Sequence, residues 1–420
     1  MLLNLIAVAL LVPLAVLAVE CLAALLPARR SPDGPRPGCA VLVPAHDEEA
    51  GLGATLAALW PHLEPGDRLL VVADNCTDNT AAVARSAGAE VLERTDITRR
   101  GKAFALAAGA DALRAGPPAV VVVVDADCRP APGAIDRLVR TAAATGRPVQ
   151  AAYTHEPPPQ NSRHETRDTR HETSLMSCVV SRVSCLGLRG RVSSWAVMVK
   201  NVIRPRGLRR LGLPCLVNGS GVAFPWPILR NVPLANSAMA EDYRLAVDLA
   251  VAGHAPLFEP FAEITTELPA ARAAAGGQRR RWEHGHLGLL FTQVPRLWWE
   301  AVRQRRWELA GLALELGVPP LSALFLAWCA ALTAALVLAE AWLPAELLLA
   351  GAAAAAVAGL SAWAAFGRAV LPPLALLAAP FYALGKLPMY LRFLVRPQRA
   401  WVRTPRDGES EIRNPKSEIN

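Results

Sequence analysis

None of the eight cysteines is spaced as CxxC, and Cys21 and Cys329 lie inside apolar runs, so they read as small buried hydrophobes and not as a metal or redox centre. No basic stripe carries interleaved aromatics, which excludes nucleic acid as the partner behind the formal charge of +8. No lysine or arginine precedes the first apolar run, and this argues against a cleaved secretory signal. His284 and His286 stand two apart, a spacing that shares no helix face, so they do not suggest a joint metal site.

What the chain has in excess is apolar sequence, 53% of its 420 residues, concentrated at the two ends. Residues 2–27 hold a single charge, Glu20, and are long enough to cross a hydrocarbon core of about 30 Å. They predict a retained membrane helix over residues 1–28. Apolar segments return at 316–339 and 345–366, which predict two more membrane helices. A third segment, from Val370 to Val395, is broken by Pro372, Pro373, Pro380 and Pro388 and contains Lys386 and Arg392; it is a kinked span or a re-entrant or interfacial piece. Arg29, Arg30 and Arg36 follow the first span, whereas the loop "AEAWLPAE" between the later spans has no basic residue. The asymmetry predicts a multi-pass protein of the inner (cell) membrane with a cytoplasmic domain at 39–290, an interfacial helix at 291–308, a membrane region at 309–395 and a basic tail at 396–420. The positive charge then reads as attraction to anionic membrane lipids and to a phosphorylated substrate.

Between the ends, short apolar runs alternate with amphipathic helices, the pattern of an α/β fold with a mostly parallel, Rossmann-like sheet. Strands are predicted at 39–45, 68–74 and 89–94, and helices at 48–59, 79–86 and 102–115. A further strand, "AVVVVVDAD", is apolar on both faces and therefore central. Ligands of such sheets sit beyond the carboxyl ends of the strands. There the chain places "HDEE" (46–49), "DNCTD" (74–78) and the pair Asp125 and Asp127. Two carboxylates this close repel, and a cation relieves the repulsion. Mg²⁺ or Mn²⁺ takes oxygens from one or two carboxylates and fills its other positions with water and substrate phosphate. The plainer account of Asp127 is a cap on the next helix.

Taken in order, "VLVPAHDEEAGL", "VVADNCTDNTAAVA", "RRGKAFAL", "VVVVDADCRPAPGAI", "AEDYRLAVDLAVAGH" and "QRRRWEHGH" resemble the family 2 glycosyltransferases of the GT-A fold, in the membrane-bound branch of cellulose, chitin and hyaluronan synthases. The resemblance implies that Asp74 contacts the nucleotide base, that Lys102 lies beside the donor nucleotide, and that Asp125 and Asp127 form the DxD pair, with Asp127 the direct metal ligand. It implies Asp242 as the general base and Arg281 as a partner of the departing diphosphate. Gln278 and Trp282, with Arg281, fill the QxxRW pattern at the acceptor site. The chain departs from the family at Asp47, where Asn is usual, adding an acid near the diphosphate. The implied reaction is inverting transfer of a sugar from a nucleotide-sugar donor, UDP-sugar first, to a polysaccharide or lipid hydroxyl. A homo-oligomer or secretion partner would complete a channel for a polymer.

Each residue has a plainer account as well. Glu241 and Asp242 sit in the first turn of a helix, where acids are favoured. Trp282 has the company of Trp298, Trp299 and Trp307, an interfacial belt. "NGSG" (218–221) is a loop near the substrate or simply a turn. A nucleotidyltransferase also uses an α/β domain and a metal-binding acid pair, but needs neither Asp242 nor "QRRRW"; an inert membrane scaffold or transport subunit needs none of these. Within an insert of about 160–190, "RHETRDT" begins to repeat without apolar residues, so it lies outside any core, and the polar end of the tail is expected to be disordered.

Overall fold

A computed structural model describes residues 1–32, 34–156, 188–234, 240–267, 272–338 and 342–395; the repeat insert and the basic tail lie outside the described residues. Eight strands are described: β1 (Cys39–Ala45), β2 (Arg68–Asp74), β3 (Glu90–Arg94), β4 (Val120–Val123), β5 (Cys128–Pro130), β6 (Val149–Glu156), β7 (Val222–Pro225) and β8 (Leu257–Glu267). They form one sheet in the order β3-β2-β1-β4-β7-β6-β8-β5. The pairs β1/β2, β2/β3, β1/β4 and β6/β8 are parallel, while β4/β7, β6/β7 and β5/β8 are antiparallel. The fold is thus the expected mixed, mostly parallel α/β sheet.

The period of two in strands explains why the valine-rich runs carry no polar face. Leu42, Leu70, Val72, Val121 and Val123 point into one core layer, and Val41, Val43, Val71 and Val122 into the other. The first layer is covered by α4 (Lys102–Ala112) and α8 (Glu241–Val251), the second by α2 (Leu52–Leu59) and α5 (Ala134–Thr145). The remaining helices are α1 (Leu2–Ala24), α3 (Thr80–Ser86), α6 (Leu188–Met198), α7 (Arg204–Leu211), α9 (Arg272–Gln304), α10 (Trp307–Gly317), α11 (Leu321–Leu338) and α12 (Leu343–Ala362), besides single turns and short helical pieces that include Ala379–Leu384 and Leu387–Val395. The first predicted helix starts at Leu52, not at Glu48, because "HDEE" makes a turn: Asp47 adopts φ +51° and the Glu48 amide donates to Thr80 Oγ1 at 2.7 Å.

Among the described residues, four segments are long and apolar enough to cross a membrane: Leu2–Ala24, Leu321–Leu338, Leu343–Gly367 and Pro373–Phe393. Helix α1 packs closely on α12, where a Cβ built on Gly351 would lie 2.8 Å from Leu11, so the two backbones approach through a small residue. The last segment consists of short helical pieces whose polar groups turn toward α9: Lys386 Nζ pairs with Glu283 at 2.5 Å, and Arg279 Nη1 donates to the Tyr382 hydroxyl at 3.0 Å. Helix α9 runs without a break through residue 290, where the sequence suggested a division, and Leu309, Leu312 and Leu316 of α10 lie in the same core layer as Leu42 and Val123. The α/β core therefore continues beyond residue 309.

One buried ion pair joins the membrane end to this core. Arg204 Nε donates to Glu20 Oε2 at 2.5 Å, and Arg204 Nη2 donates to the Glu315 carbonyl at 2.9 Å. Gly207 is what lets α7 approach α1: a Cβ there would meet the Glu20 carbonyl oxygen at 2.0 Å.

Candidate active site at the sheet rim

Strand β4 ends at Val123, and two residues later the chain turns Asp125 toward the start of α4. Lys102, the first residue of α4, places Nζ 2.6 Å from Asp125 Oδ1 and donates to the Gly219 carbonyl, also at 2.6 Å. The Asp125 amide donates to Ser220 Oγ at 3.0 Å. The "NGSG" loop is thereby fixed across the rim. Buried Gln150 holds its other side, with Nε2 donating to the Ser220 carbonyl at 2.9 Å and Oε1 accepting from the Asn218 amide at 2.8 Å. Gly219 has φ +87°, and a Cβ there would lie 2.9 Å from Asp242 Oδ2 and 3.5 Å from Lys102 Nζ. Only glycine fits that conformation and that space.

The same contact locates Asp242: its carboxylate reaches the rim beside Lys102, from the first turn of α8. Burial works against the charge of Lys102, but the attraction of Asp125 and Asp242 prevails and raises its pKa. Burial, helped by Asp127 and Asp242 and opposed by Lys102, pushes Asp125 up to about 6. Burial and the neighbouring Asp242 push Glu241 up to about 7. Arg281 is lowered by burial and held up by Glu241. Lys102 thus faces Asp125, Glu241 and Asp242, with Asp127 beside Asp125 and Arg281 beside Glu241, a surplus of carboxylates among these described groups.

That surplus is the observation against which a metal can be tested. Ligand atoms of Asp125, Asp127 and Cys128 lie within 4.8 Å of one another at the rim, and the two carboxylates supply the hard oxygens that Mg²⁺ or Mn²⁺ prefers. Cys128 is buried, burial pushes its thiol well above the ordinary range, and its soft sulfur suits a hard cation less well than the two carboxylates do. The residues fit a divalent cation held by Asp125 and Asp127.

Asp74 lies at the end of β2 in a separate group. It pairs with Arg94 Nη1 at 2.5 Å and accepts from Asn75 Nδ2 at 3.0 Å. Asp47, the departure from the family pattern, is a turn residue: its Oδ1 accepts from the Thr77 amide at 2.6 Å. Trp282 is partly buried, with its ring centroid 5.6 Å from that of His155. The side chain of Gln278 lies outside the described residues. His284 and His286 reach different carbonyls, Met389 at 3.3 Å and Leu316 at 3.0 Å, and do not share a ligand.

Sequence reasoning missed Gln150, Ser220 and His155 and left the NGSG loop undecided. The glycines at 219 and 221, both with positive φ, were the available signal.

The model of the glycosyltransferase-like family 2 matches residues 35–285. Among solved structures, the mannosyltransferase PcManGT from Pyrobaculum calidifontis, in complex with GDP-Man and Mn²⁺, is 20% identical over 91% of this chain and 98% of that one, with a TM-score of 0.52. Glucosyl-3-phosphoglycerate synthase from Mycobacterium tuberculosis, in complex with Mn²⁺ and UDP-glucose, is 22% identical over 56% of this chain and 71% of that one, with a TM-score of 0.35. No curated protein matches the chain.

Proposed function

We propose, since the chain belongs to the glycosyltransferase-like family 2, that it is an inverting transferase moving a sugar from a nucleotide diphosphate, UDP-sugar first, to a polysaccharide or lipid hydroxyl at the cytoplasmic face of the inner membrane. The observation that carries this reading is the convergence of Lys102 and Asp242 on Gly219, with Asp125 paired to the same Lys102. Asp125 and Asp127 would hold Mg²⁺ or Mn²⁺, which when bound supplies positive charge to the donor diphosphate. Lys102 and Arg281 add fixed positive charge on the same side, where the leaving group gathers negative charge. The Asp242 carboxylate takes the proton of the acceptor hydroxyl as that oxygen forms its bond to the anomeric carbon. The bond from that carbon to the diphosphate breaks, and its electron pair leaves with the nucleoside diphosphate. Asp74 would meet the base, and Gln278 and Trp282 the acceptor, in the QxxRW branch of the family. Four apolar segments, together with the arginines after α1, support the membrane placement.

The experiment is transfer of radiolabel from UDP-glucose, GDP-mannose or other nucleotide sugars by the purified chain in detergent with Mn²⁺ or Mg²⁺. Label in a saccharide or lipid with release of nucleoside diphosphate is expected. Release of labelled sugar 1-phosphate would favour a nucleotidyltransferase, and no transfer across several donors and acceptors would favour an inert scaffold.

A further inference from the structure

His155, next to last in β6, is 9% exposed, yet neither of its ring nitrogens has a hydrogen-bond partner among the described residues. A buried polar group left unpaired loses the hydrogen bonds it made to water, so it calls for an explanation. Simple core packing gives none, because phenylalanine or leucine would fill the space without stranding polar atoms.

The placement of the ring is informative. Tyr153 meets it edge-on at 5.3 Å and Trp282 is tilted against it at 5.6 Å. In the sheet His155 is in register with Thr266 and Thr266 with Cys128, and Thr266 Oγ1 donates to the Asp127 carbonyl at 3.2 Å. The ring therefore lies between the tip that bears the acid pair and the tryptophan of the QRRRW segment. Metal ligation does not account for it. Among the described residues, the ligand atoms gathered within 4.8 Å belong to Asp125, Asp127 and Cys128 and, separately, to His46, Asp47 and Cys76. His155 is in neither group.

A neutral imidazole offers one donor and one acceptor, the complement of a hydroxyl, which can accept and donate. We infer that His155 is a sugar-binding residue, hydrogen-bonded to a hydroxyl of the transferred sugar where that sugar sits between the phosphate side at Asp127 and the acceptor side at Trp282. The inference rests on the glycosyl-transfer reading above and adds to it a contact that discriminates between sugars by the position of their hydroxyls.

The test compares the full chain in detergent with His155→Phe and His155→Gln, titrated with Mn²⁺ plus UDP, UDP-glucose, GDP or GDP-mannose and followed by calorimetry or melting temperature. In His155→Phe the affinity for the preferred nucleotide sugar should fall about tenfold, the loss of one hydrogen bond of about 1.4 kcal/mol, while affinity for its nucleoside diphosphate changes less than about twofold. His155→Gln should recover part of the difference. His155→Leu serves if the phenylalanine variant does not fold. An unchanged ratio of the two affinities in the apolar variant, or an equal fall for both ligands, overturns the inference and leaves the glycosyl-transfer reading standing. If the wild-type chain binds none of the four ligands, that reading fails and the inference falls with it.

Discussion

Two clusters of charge in the described residues are built on opposite terms. At the membrane junction, Arg204 is matched by Glu20 and by the Glu315 carbonyl, and burial pushes the Glu315 carboxyl up to about 8, so the cluster is close to neutral and closed to water. At the sheet rim, carboxylates are in surplus among the described groups, and Lys102 and Asp125 keep some exposure. Matched buried charge gives a structural joint between α1 and the α/β core. Carboxylates crowded at a strand end repel one another unless a cation or ligand joins them, and this supports the proposal that the rim is the functional cluster.

The largest effect should come from removing the proposed base. Asp242→Asn is expected to lower sugar transfer about 10²–10⁴-fold while leaving donor affinity and melting temperature in place, as read by radiolabel transfer and by titration. A variant that lost donor binding to the same extent would move Asp242 from proton transfer to donor holding.

The joint should respond in the opposite sense. Arg204→Ala leaves Glu20 buried without its partner and should cost about 3–5 kcal/mol of stability, seen in detergent melting, while molecules that remain folded keep their donor affinity. If donor affinity fell with stability unchanged, the distinction between joint and site would be wrong.

A smaller effect is expected from pH. The folded pKa of Glu241, about 7, lies above its ordinary 4.5, so folding favours the protonated form. That stability is fully present below about 4.5 and is lost as pH rises through about 7. The melting temperature of the metal-free chain should therefore decline over this window, and Glu241→Gln should flatten the decline. Smallest is Ser220→Ala, which removes the acceptor of the Asp125 amide. It should cost about 1 kcal/mol of transition-state stabilisation, close to a fivefold loss of kcat/KM.

The parts of the site that were legible were those written locally. Five consecutive valines ahead of Asp125 announce a buried strand with acids at its tip, and the structure has that strand between β1 and β7. What was not legible depends on contacts far apart in the chain. Lys102 meets Gly219 across 117 positions, and Asp125 meets Ser220 across 95, so the NGSG loop reads as an ordinary turn until the sheet brings it to the rim. Nothing in the sequence around Asp74 names its partner, Arg94 on β3, which reaches it across the sheet edge. Composition alone also does not separate an apolar helix buried in protein, such as α10, from one buried in lipid, because the two have the same content.

The central claim is that a divalent cation at Asp125 and Asp127 couples the rim to a nucleoside diphosphate. Its most direct test is calorimetric titration of UDP or GDP into the detergent-solubilised chain and into Asp127→Asn, each with Mn²⁺ and with chelator. The account expects the better-binding nucleotide to bind at least about tenfold more tightly with Mn²⁺ in the wild-type chain and no such gain in the variant. Equal affinity with and without metal in the wild type, or a full metal effect in Asp127→Asn, would contradict it.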